Sequence, residues 1–372
     1  MTNSIAHPEV GAEFRALRYE PDVVHLDSAA AGRASRNVVA RMSEHLEREA
    51  RVGGYVAHAE AAETLERGRA AAAGLLGFAP HEVFFTESAR SALLALVHNM
   101  PVEAGSPVCV APSEFGPNLT VFASFGLRPI PLPVTDRVGH LDYEASAEVI
   151  ARERPAFVHI CVHPSHRGLV QDVARLGAVC RAAGVPLIAD AAQSFAHIPP
   201  VLGADAVYAT SRKWLCGPRG VGVVGVRSGL LPAKELLLES VEANIAGRVG
   251  FAVALAEHLT LGPAAVYERL AAIGQVARAR LHGAGGWSVS EEVEEPCAVT
   301  TLLPPHGWSG RDVQGFREAL AAGTAASARI VTTYLGPERA PLEDAPGALR
   351  ISPHLDVTER HLDVLVAALD SA

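Results

Sequence analysis

The sequence predicts an α/β protein of two domains, with a large α/β domain over residues 22–245 and a small α+β domain over residues 246–372. We expect residues 1–21 to pack on the small domain. The first supporting observation is length, because 372 residues exceed the usual size of a single domain. The second is an alternation of short apolar runs with helix-like stretches over most of the first 230 residues. Since parallel strands are covered by helices on both faces, this alternation favours a mostly parallel sheet.

Seven apolar or β-branched runs in the first part are predicted as strands. They are Val83–Thr86, Val108–Ala111, Leu127–Leu132, Phe157–Val162, Pro186–Asp190, Ala206–Thr210 and Val221–Val226. Between these runs, apolar residues at three- and four-residue spacing predict helices over Glu60–Leu76, Ala89–His98 and Gln171–Ala183.

The pattern changes from about Asn244 onward. One long helix is predicted from Ala246 to His282, followed by weaker strand signals at Ala298–Leu303 and Ala328–Thr333. A C-terminal helix is predicted over Thr358–Ala368. These elements indicate a smaller α+β domain.

The composition argues against several classes of partner. The formal net charge is −9, whereas nucleic-acid-binding domains usually carry a basic excess. No apolar run approaches the roughly 18–20 residues that span a bilayer, and the N-terminus lacks the apolar region of a secretory signal. The five cysteines are scattered, without a CxxC pair, which suits a reducing compartment. We therefore expect a cytoplasmic protein with a small-molecule substrate, and neither nucleic acid nor membrane as a partner.

Asp190 stands at the end of a predicted strand, where open α/β sheets bind ligands. A carboxylate that follows the apolar run Val185–Ala189 is costly to bury unless a cation pairs with it. A protonated pyridine nitrogen is such a cation, and the pairing keeps the ring an electron sink. Gln193 is then placed to reach the ring hydroxyl. A helix N-cap Asp with a surface Gln is the alternative.

Lys213 lies between a predicted strand and a Gly-Pro turn, next to Trp214. We expect it to be partly desolvated, which lowers its pKa and frees an amine for Schiff-base chemistry. Thr210 and Ser211 supply hydroxyls of the kind that hold a phosphate, and Arg212 is placed with the cofactor-binding residues, facing phosphate or solvent. Without Asp190 upstream, an exposed lysine before a turn would be the better interpretation.

Ser88, Ala89 and Arg90 mark a passage from a strand into a helix. Free amides at a helix N-terminus favour a phosphate dianion, and Arg90 can add a charge-assisted contact. Alone this signal is weak, because many strand-to-helix turns share it.

Taken together, these features resemble the class V aminotransferase and cysteine desulfurase group of fold-type I enzymes, which use pyridoxal 5′-phosphate (PLP). The segment His25–Ala30 is similar to the group's YLDNAA segment. Lys213–Gly220 is similar to its HKWL-x-GP-x-G signature, and Leu349–His354 to its RxSPH motif. The resemblance implies PLP bound to Lys213 as a Schiff base, a mixed seven-stranded sheet in the large domain, and a homodimer with sites at its interface.

The resemblance also implies roles for single residues. Arg350 would clamp the substrate α-carboxylate, and Ser28 and Ala29 would lie against the substrate. Phe115 falls where the group places a ring stacked on the cofactor. His166 is expected to approach the cofactor ring oxygen, and no metal site is predicted.

The positions of the cysteines bear on the reaction. A cysteine desulfurase needs a mobile thiolate upstream of its Arg-x-Ser motif, but the stretch from Glu318 to Arg350 contains no cysteine. Within the group, the motifs instead resemble a carbon–sulfur lyase that cleaves a cysteine-sulfoxide conjugate. The arginine before the lysine suits that enzyme.

In such a lyase, Lys213 would remove the Cα proton, and Tyr55 is the candidate general acid, reaching across a dimer to the substrate. A surface-loop tyrosine is an equally good interpretation. Phe115 and Glu114 are further groups for a cationic, aromatic substrate. A class V aminotransferase, an epimerase-like relative and a non-catalytic PLP-binding protein remain open, because lyase and transaminase share Lys213, Asp190 and Arg350.

Overall fold

The computed structural model describes residues 5–231, 238–343 and 346–372. Their helices are α1 Pro8–Ala16, α2 Arg36–Val52, α3 Gly54–Leu76, α4 Ala89–Asn99, α5 Gly116–Ser124, α6 Tyr143–Glu153, α7 Val173–Ala183, α8 Ile245–Leu261, α9 Pro263–Leu281, α10 Gly310–Ala322 and α11 Glu359–Asp370. Their strands are β1 Val24–His25, β2 Val83–Thr86, β3 Pro107–Val110, β4 Arg128–Pro131, β5 Phe157–Cys161, β6 Leu187–Asp190, β7 Ala206–Thr210, β8 Gly222–Val226, β9 Ser288–Val289, β10 Thr300–Leu303, β11 Ile330–Val331, β12 Thr333–Leu335 and β13 Ala348–Ile351.

The seven predicted strands of the first part all form, and they make one mixed sheet in the order β2-β8-β7-β6-β5-β3-β4. Strand β8 runs antiparallel to both neighbours, and the other pairs are parallel. The carboxyl ends of β2, β5, β6 and β7 therefore meet at one edge. In register, Cys161 pairs with Asp190, and Asp190 pairs with Tyr208. This confirms the predicted α/β fold class.

The sheet is central because its inner strands are apolar on both faces. Every residue of β5 to β8 is buried, as expected for strands covered by helices on each side. One buried cluster joins the sheet to α3, α7 and α8, and a second joins it to α4 and α5. The edge that carries polar residues is thus held between two packed layers.

The long helix predicted over Ala246–His282 is instead two helices, α8 and α9, with an angle of 84° between them. Gly262 lies between them with φ 80° and ψ 100°, which is a left-handed φ that favours glycine, and Pro263 begins α9. Apolar periodicity continues through this break, so the prediction of one helix was wrong. Among the described residues no single helix is both long and apolar enough to cross a membrane, although this bent pair passes the same test when joined.

A second sheet of four antiparallel strands, in the order β12-β13-β10-β9, forms the C-terminal part with α9, α10 and α11. The strand predicted over Ala328–Thr333 is split into β11 and β12, and β11 pairs in parallel with β1. Strand β1 thus lies with C-terminal elements although we assigned it to the large domain. The boundary between residues 245 and 246 stays a prediction.

Candidate active site

A cavity of about 300 Å³ opens at the carboxyl ends of β5, β6 and β7. It is lined by most of the predicted site residues: Ala29, Ser88, Ala89, Arg90, Phe115, Asp190, Gln193, Thr210, Arg212, Lys213 and Arg350. This is the edge at which open α/β sheets bind ligands. We call it the cofactor cavity.

Asp190, the last residue of β6, is buried and fixed on both carboxylate oxygens. Its Oδ1 accepts the N–H of Ala192 at 2.8 Å, and its Oδ2 accepts from Nδ2 of Asn118 at 2.9 Å. Both oxygens are thus held in place as hydrogen-bond acceptors. The carboxylate of Asp190 is suited to accept a hydrogen bond from a protonated pyridine nitrogen.

Behind Asp190 lies a polar network that the sequence did not reveal. Nδ2 of Asn118 also donates to Oε1 of Glu114 at 2.9 Å, and Oε2 of Glu114 is 2.8 Å from Nδ1 of His159. Nε2 of His159 is 2.9 Å from the hydroxyl of Tyr208. Glu114 is fully buried in these contacts, so the expectation that it meets the substrate was wrong.

Lys213 lies in the loop after β7, among cationic neighbours. Burial lowers the pKa of its ammonium to about 7; Arg212 and Arg350 act in the same direction, and Asp190 opposes them. The loop packs closely against Gly32, because a Cβ at that position would lie 2.4 Å from the carbonyl oxygen of Lys213. A lysine with this pKa is a competent nucleophile and base near neutral pH.

The N-terminus of α4 forms the other end of the cavity. Ser88 caps the helix, since its Oγ accepts the N–H of Ser91 at 3.0 Å. The N–H groups of Ala89 and Arg90 stand in the first turn, where no intrahelical acceptor exists. A Cβ on Gly222 would lie 2.6 Å from the backbone of Ser88, so glycine is required for this approach. The arrangement fits a phosphate group.

The charges around the cofactor cavity also fit PLP. Among the described residues that line it are four arginines, Arg90, Arg212, Arg339 and Arg350, and one carboxylate, that of Asp190. Among the described residues, Arg90, Arg212 and Arg339 make no side-chain hydrogen bond or ion pair. A dianionic phosphate and a substrate carboxylate would balance this excess of positive charge.

His163 lines the cavity and was not assigned to the site from the sequence. Its ring is buried, and neither nitrogen has a hydrogen-bond partner among the described residues. Burial lowers its pKa well below the usual value, with a contribution from His197, so the ring is neutral. An unpartnered buried ring of this kind is costly unless a ligand supplies its hydrogen bond.

Gln193 and Arg350 are fixed in the cavity wall. Gln193 donates from Nε2 to the carbonyl of Ala29 and accepts from Nε1 of Trp214, both at 2.9 Å. Arg350 donates to the carbonyl of Ser165 at 2.7 Å and pairs with Asp27 at 3.2 Å, while its Nε has no partner in the described part of the chain. The N–H at Nε of Arg350 is therefore available to donate to the carboxylate of a ligand.

Besides Glu114, four predicted residues do not line the cofactor cavity. Ser211 follows β7 but is fully buried. Tyr55, at the start of α3, is 86% exposed. His166 faces a neighbouring cavity, with Nε2 3.1 Å from Glu343, because the chain turns between Ser165 and His166. Ser28 is buried beneath the site, and its N–H donates to the carbonyl of Ser352. The contacts assigned to His166 and Ser28 are therefore absent in this structure.

The first turn of α4, the carboxylate of Asp190 and the desolvated Lys213 lie together at the edge of a mixed seven-stranded sheet. This combination defines a fold-type I PLP enzyme. The family model described as aminotransferase class V matches residues 24–365. The chain therefore belongs to that family, and its cofactor is PLP. When bound, PLP would be held by Lys213, by Asp190 and by the first turn of α4.

One relative is similar over the whole chain. It is the probable hercynylcysteine sulfoxide lyase of Mycobacterium tuberculosis (strain CDC 1551 / Oshkosh), with 43% identity over 100% of this chain and 95% of the relative.

Two solved structures share the fold. The cysteine desulfurase CsdA from Escherichia coli has a TM-score of 0.82 at 20% identity and covers 97% of each chain. The cystine C-S lyase C-DES has a TM-score of 0.81 at 16% identity, over 94% of this chain and 97% of that one. These comparisons confirm the predicted family and fold class, while the roles of single residues stay predictions.

Proposed function

We propose that this protein is a PLP-dependent carbon–sulfur lyase that cleaves hercynylcysteine sulfoxide. The single observation that carries this proposal is the 43% identity to a probable lyase for that substrate, which extends over the whole chain. The Cβ–S bond would break with release of a sulfenic acid, pyruvate and ammonia. Conversion of the sulfenic acid to ergothioneine needs two electrons from an external thiol.

The residues of the cofactor cavity suit this reaction. PLP supplies an electron sink for the carbanion formed at Cα. With a pKa of about 7, the amine of Lys213 is available as the base that takes the Cα proton. Asp190 would hold the ring nitrogen protonated, and the free Nε of Arg350 would bind the α-carboxylate.

The cysteines support a lyase over a desulfurase. All five are buried, and burial raises the pKa of the thiol of Cys161, the one that lines the cofactor cavity, well above its usual value. A persulfide-forming enzyme needs a mobile, ionised thiol. No residue between Glu318 and Arg350 can supply one.

The assembly we propose is a homodimer in the cytoplasm. Exposed apolar side chains occur at the start of α3 and nearby, including Tyr55 at 86%, Val56 at 49%, Leu46 at 54% and Val241 at 82%. A partner subunit that covered these side chains would remove their apolar surface from water. In such a dimer Tyr55 would enter the partner subunit's site as general acid.

The proposal is tested with purified protein, PLP and hercynylcysteine sulfoxide, following pyruvate release. We expect pyruvate from the parent protein and none from Lys213→Ala. Stoichiometric conversion of PLP to pyridoxamine phosphate without pyruvate would instead indicate transamination. Because the chain has two lysines, Lys213 and Lys234, borohydride reduction and peptide mapping will identify the one that holds the cofactor.

A further inference from the structure

A second cavity, of about 490 Å³, lies beside the cofactor cavity. Its walls come from loop 134–139 and the segment 166–167 on one side, and from β10, β12 and β13 with their flanking residues on the other. Arg339 lines both cavities, so the two are neighbours that share this residue. Cavities between two packed parts of a molecule are common ligand sites.

The segment 163–167 forms the partition between the two cavities. His163 and Ser165 line the cofactor cavity, whereas His166 and Arg167 line the second. The partition is fixed to β10, because the hydroxyl of Thr301 donates to the carbonyl of His166 at 2.7 Å. The second cavity is therefore a built feature of the fold.

The lining of the second cavity combines apolar walls with charges of both signs. Val134, Val138, Leu303 and Leu335 are among its apolar residues. Its charged side chains are those of Asp136, Arg137, Arg167, Arg339 and Glu343. Such a mixture matches a zwitterion with apolar substituents better than it matches a simple anion or cation.

Glu343 is the carboxylate best fixed in this cavity. Its Oε2 accepts from Nε2 of His166 at 3.1 Å and from Arg167, which leaves Oε1 without a partner among the described residues. Burial acts to raise the pKa of Glu343, but the contacts with His166 and Arg167 outweigh burial and lower it. Glu343 and Arg339 thus contribute one negative and one positive side chain to the lining of this cavity.

Size requires a second compartment. The cofactor cavity, at about 300 Å³, is at the lower end of the roughly 300–1,000 Å³ typical of small-molecule sites. Once PLP and the cysteine part of a substrate occupy it, a large group on sulfur must extend elsewhere. The second cavity, which shares Arg339 with the cofactor cavity, is the neighbouring space for such a group.

We propose that the second cavity binds the part of the substrate beyond sulfur, as an imidazole-bearing betaine. Arg339 would pair with the betaine carboxylate, and Glu343 would face its quaternary ammonium. The apolar walls would cover the methyl groups. This subsite rests on the function proposed above and assigns its substrate specificity to the two residues.

The kinetic test compares hercynylcysteine sulfoxide with the short S-methylcysteine sulfoxide. For Glu343→Gln we expect kcat/KM to fall at least about tenfold on the long substrate and to change less than about twofold on the short one. Arg339→Ala should lower kcat/KM more on the long substrate than on the short one, on which some loss is expected because Arg339 also lines the cofactor cavity. Arg339→Lys should restore part of the loss. The matched control is Arg311→Ala, an exposed arginine on α10, with unfolding temperature and cofactor absorbance measured for every variant. Equal losses on both substrates would overturn the proposal and assign Arg339 to the α-carboxylate.

A binding measurement separates this proposal from the proposed function. Hercynine, which lacks the cysteine part, is titrated into the PLP-loaded parent protein in a calorimeter. We expect saturable binding that Arg339→Ala weakens at least about tenfold, and absence of binding overturns the subsite. A parent protein that leaves hercynylcysteine sulfoxide intact overturns the proposed function, while hercynine binding still reports on the cavity.

Discussion

Glu114 and His159 form a fully buried ion pair, with Oε2 2.8 Å from Nδ1. Burial opposes the charge on His159, but the attraction and hydrogen bond of Glu114 outweigh burial and raise the pKa of His159. Asn118 links this pair to Asp190 through two hydrogen bonds of 2.9 Å. The carboxylate of Asp190, which lines the cofactor cavity, is therefore connected through Asn118 to a buried pair of opposite charges.

Breaking this pair should be strongly destabilising. We expect His159→Phe to lower the free energy of unfolding by about 3–5 kcal/mol, because it leaves the charge of Glu114 buried and unpaired. Chemical denaturation of the PLP-loaded protein measures this loss. The control is His306→Phe, an exposed position.

A double variant shows whether the two residues act as a pair. Glu114→Gln combined with His159→Phe should cost less than the sum of the single changes, since each single change leaves one unpaired charge and the double variant leaves none. Strict additivity, or a loss below about 1 kcal/mol for His159→Phe, would contradict the coupling.

The ends of strands explain why the sequence predicted the core of the candidate site. Asp190 and Lys213 each follow a continuous apolar run, and parallel strands bring such positions to one edge. Their positions after these two runs therefore predicted, from the sequence alone, that the two side chains lie close together. The same reasoning placed Ser88 and Ala89 at the start of a helix.

The network behind Asp190 had no comparable signal. Glu114, Asn118 and His159 come from a loop, a helix and a strand, and only tertiary packing brings them together. His163 and His166 were confused for a related reason: a loop of unknown course follows β5, so residue spacing there does not predict direction. Periodicity likewise could not locate the break at Gly262.

Lys213 should react with aldehydes near neutral pH. In the cofactor-free protein its pKa is about 7, so roughly half of the amine is neutral at that pH. For an ordinary lysine, with a pKa near ~10.4, the neutral fraction is under roughly one in a thousand. Since the amine reacts only when deprotonated, we expect PLP incorporation to speed up as pH rises and to level off above about 7 to 8.

Stopped-flow absorbance after mixing with PLP measures this profile, with Lys213→Ala as the blank. Arg212→Gln should move the midpoint upward, because Arg212 is one of the charges that lower the pKa of Lys213. A midpoint above pH 9 in the parent protein would contradict the burial of the ammonium.

Arg350→Lys should weaken substrate binding more than it alters the cofactor. A lysine keeps the charge, but it cannot hold the contacts with Ser165 and Asp27 and at the same time direct a donor at a carboxylate, as the free Nε of Arg350 does. With about 1.5–3 kcal/mol for a hydrogen bond to a charged group, we expect kcat/KM to fall by about 10- to 150-fold, mostly through KM. Cofactor absorbance should stay unchanged, and amino-acid analogues that lack the carboxylate should lose nothing further. An unchanged KM would contradict the predicted contact between Arg350 and the substrate α-carboxylate.

Tyr55 should act on the partner subunit's site if the proposed dimer forms. Since Tyr55 is 86% exposed within one chain, its own cavity offers it no contact. As general acid it should contribute about 10²- to 10⁴-fold, so Tyr55→Ala should be nearly inactive on hercynylcysteine sulfoxide. The matched control is Tyr19→Ala, another exposed tyrosine.

Co-expression of Tyr55→Ala and Lys213→Ala chains with different tags distinguishes the two possible arrangements. In a mixed dimer, one site has its own Lys213 and the intact Tyr55 of the other chain, so about half of the parent activity should return. If Tyr55 served its own chain, that same site would lack the tyrosine and the mixed dimer would stay inactive. If Tyr55 were a surface residue without a role, Tyr55→Ala alone would keep full activity. A tyrosine without a role would also leave the mixed dimer with about half of the parent activity, because one of its two sites keeps Lys213. Recovery to about half in the mixed dimer, combined with an inactive Tyr55→Ala protein, is therefore the result that places Tyr55 across the interface.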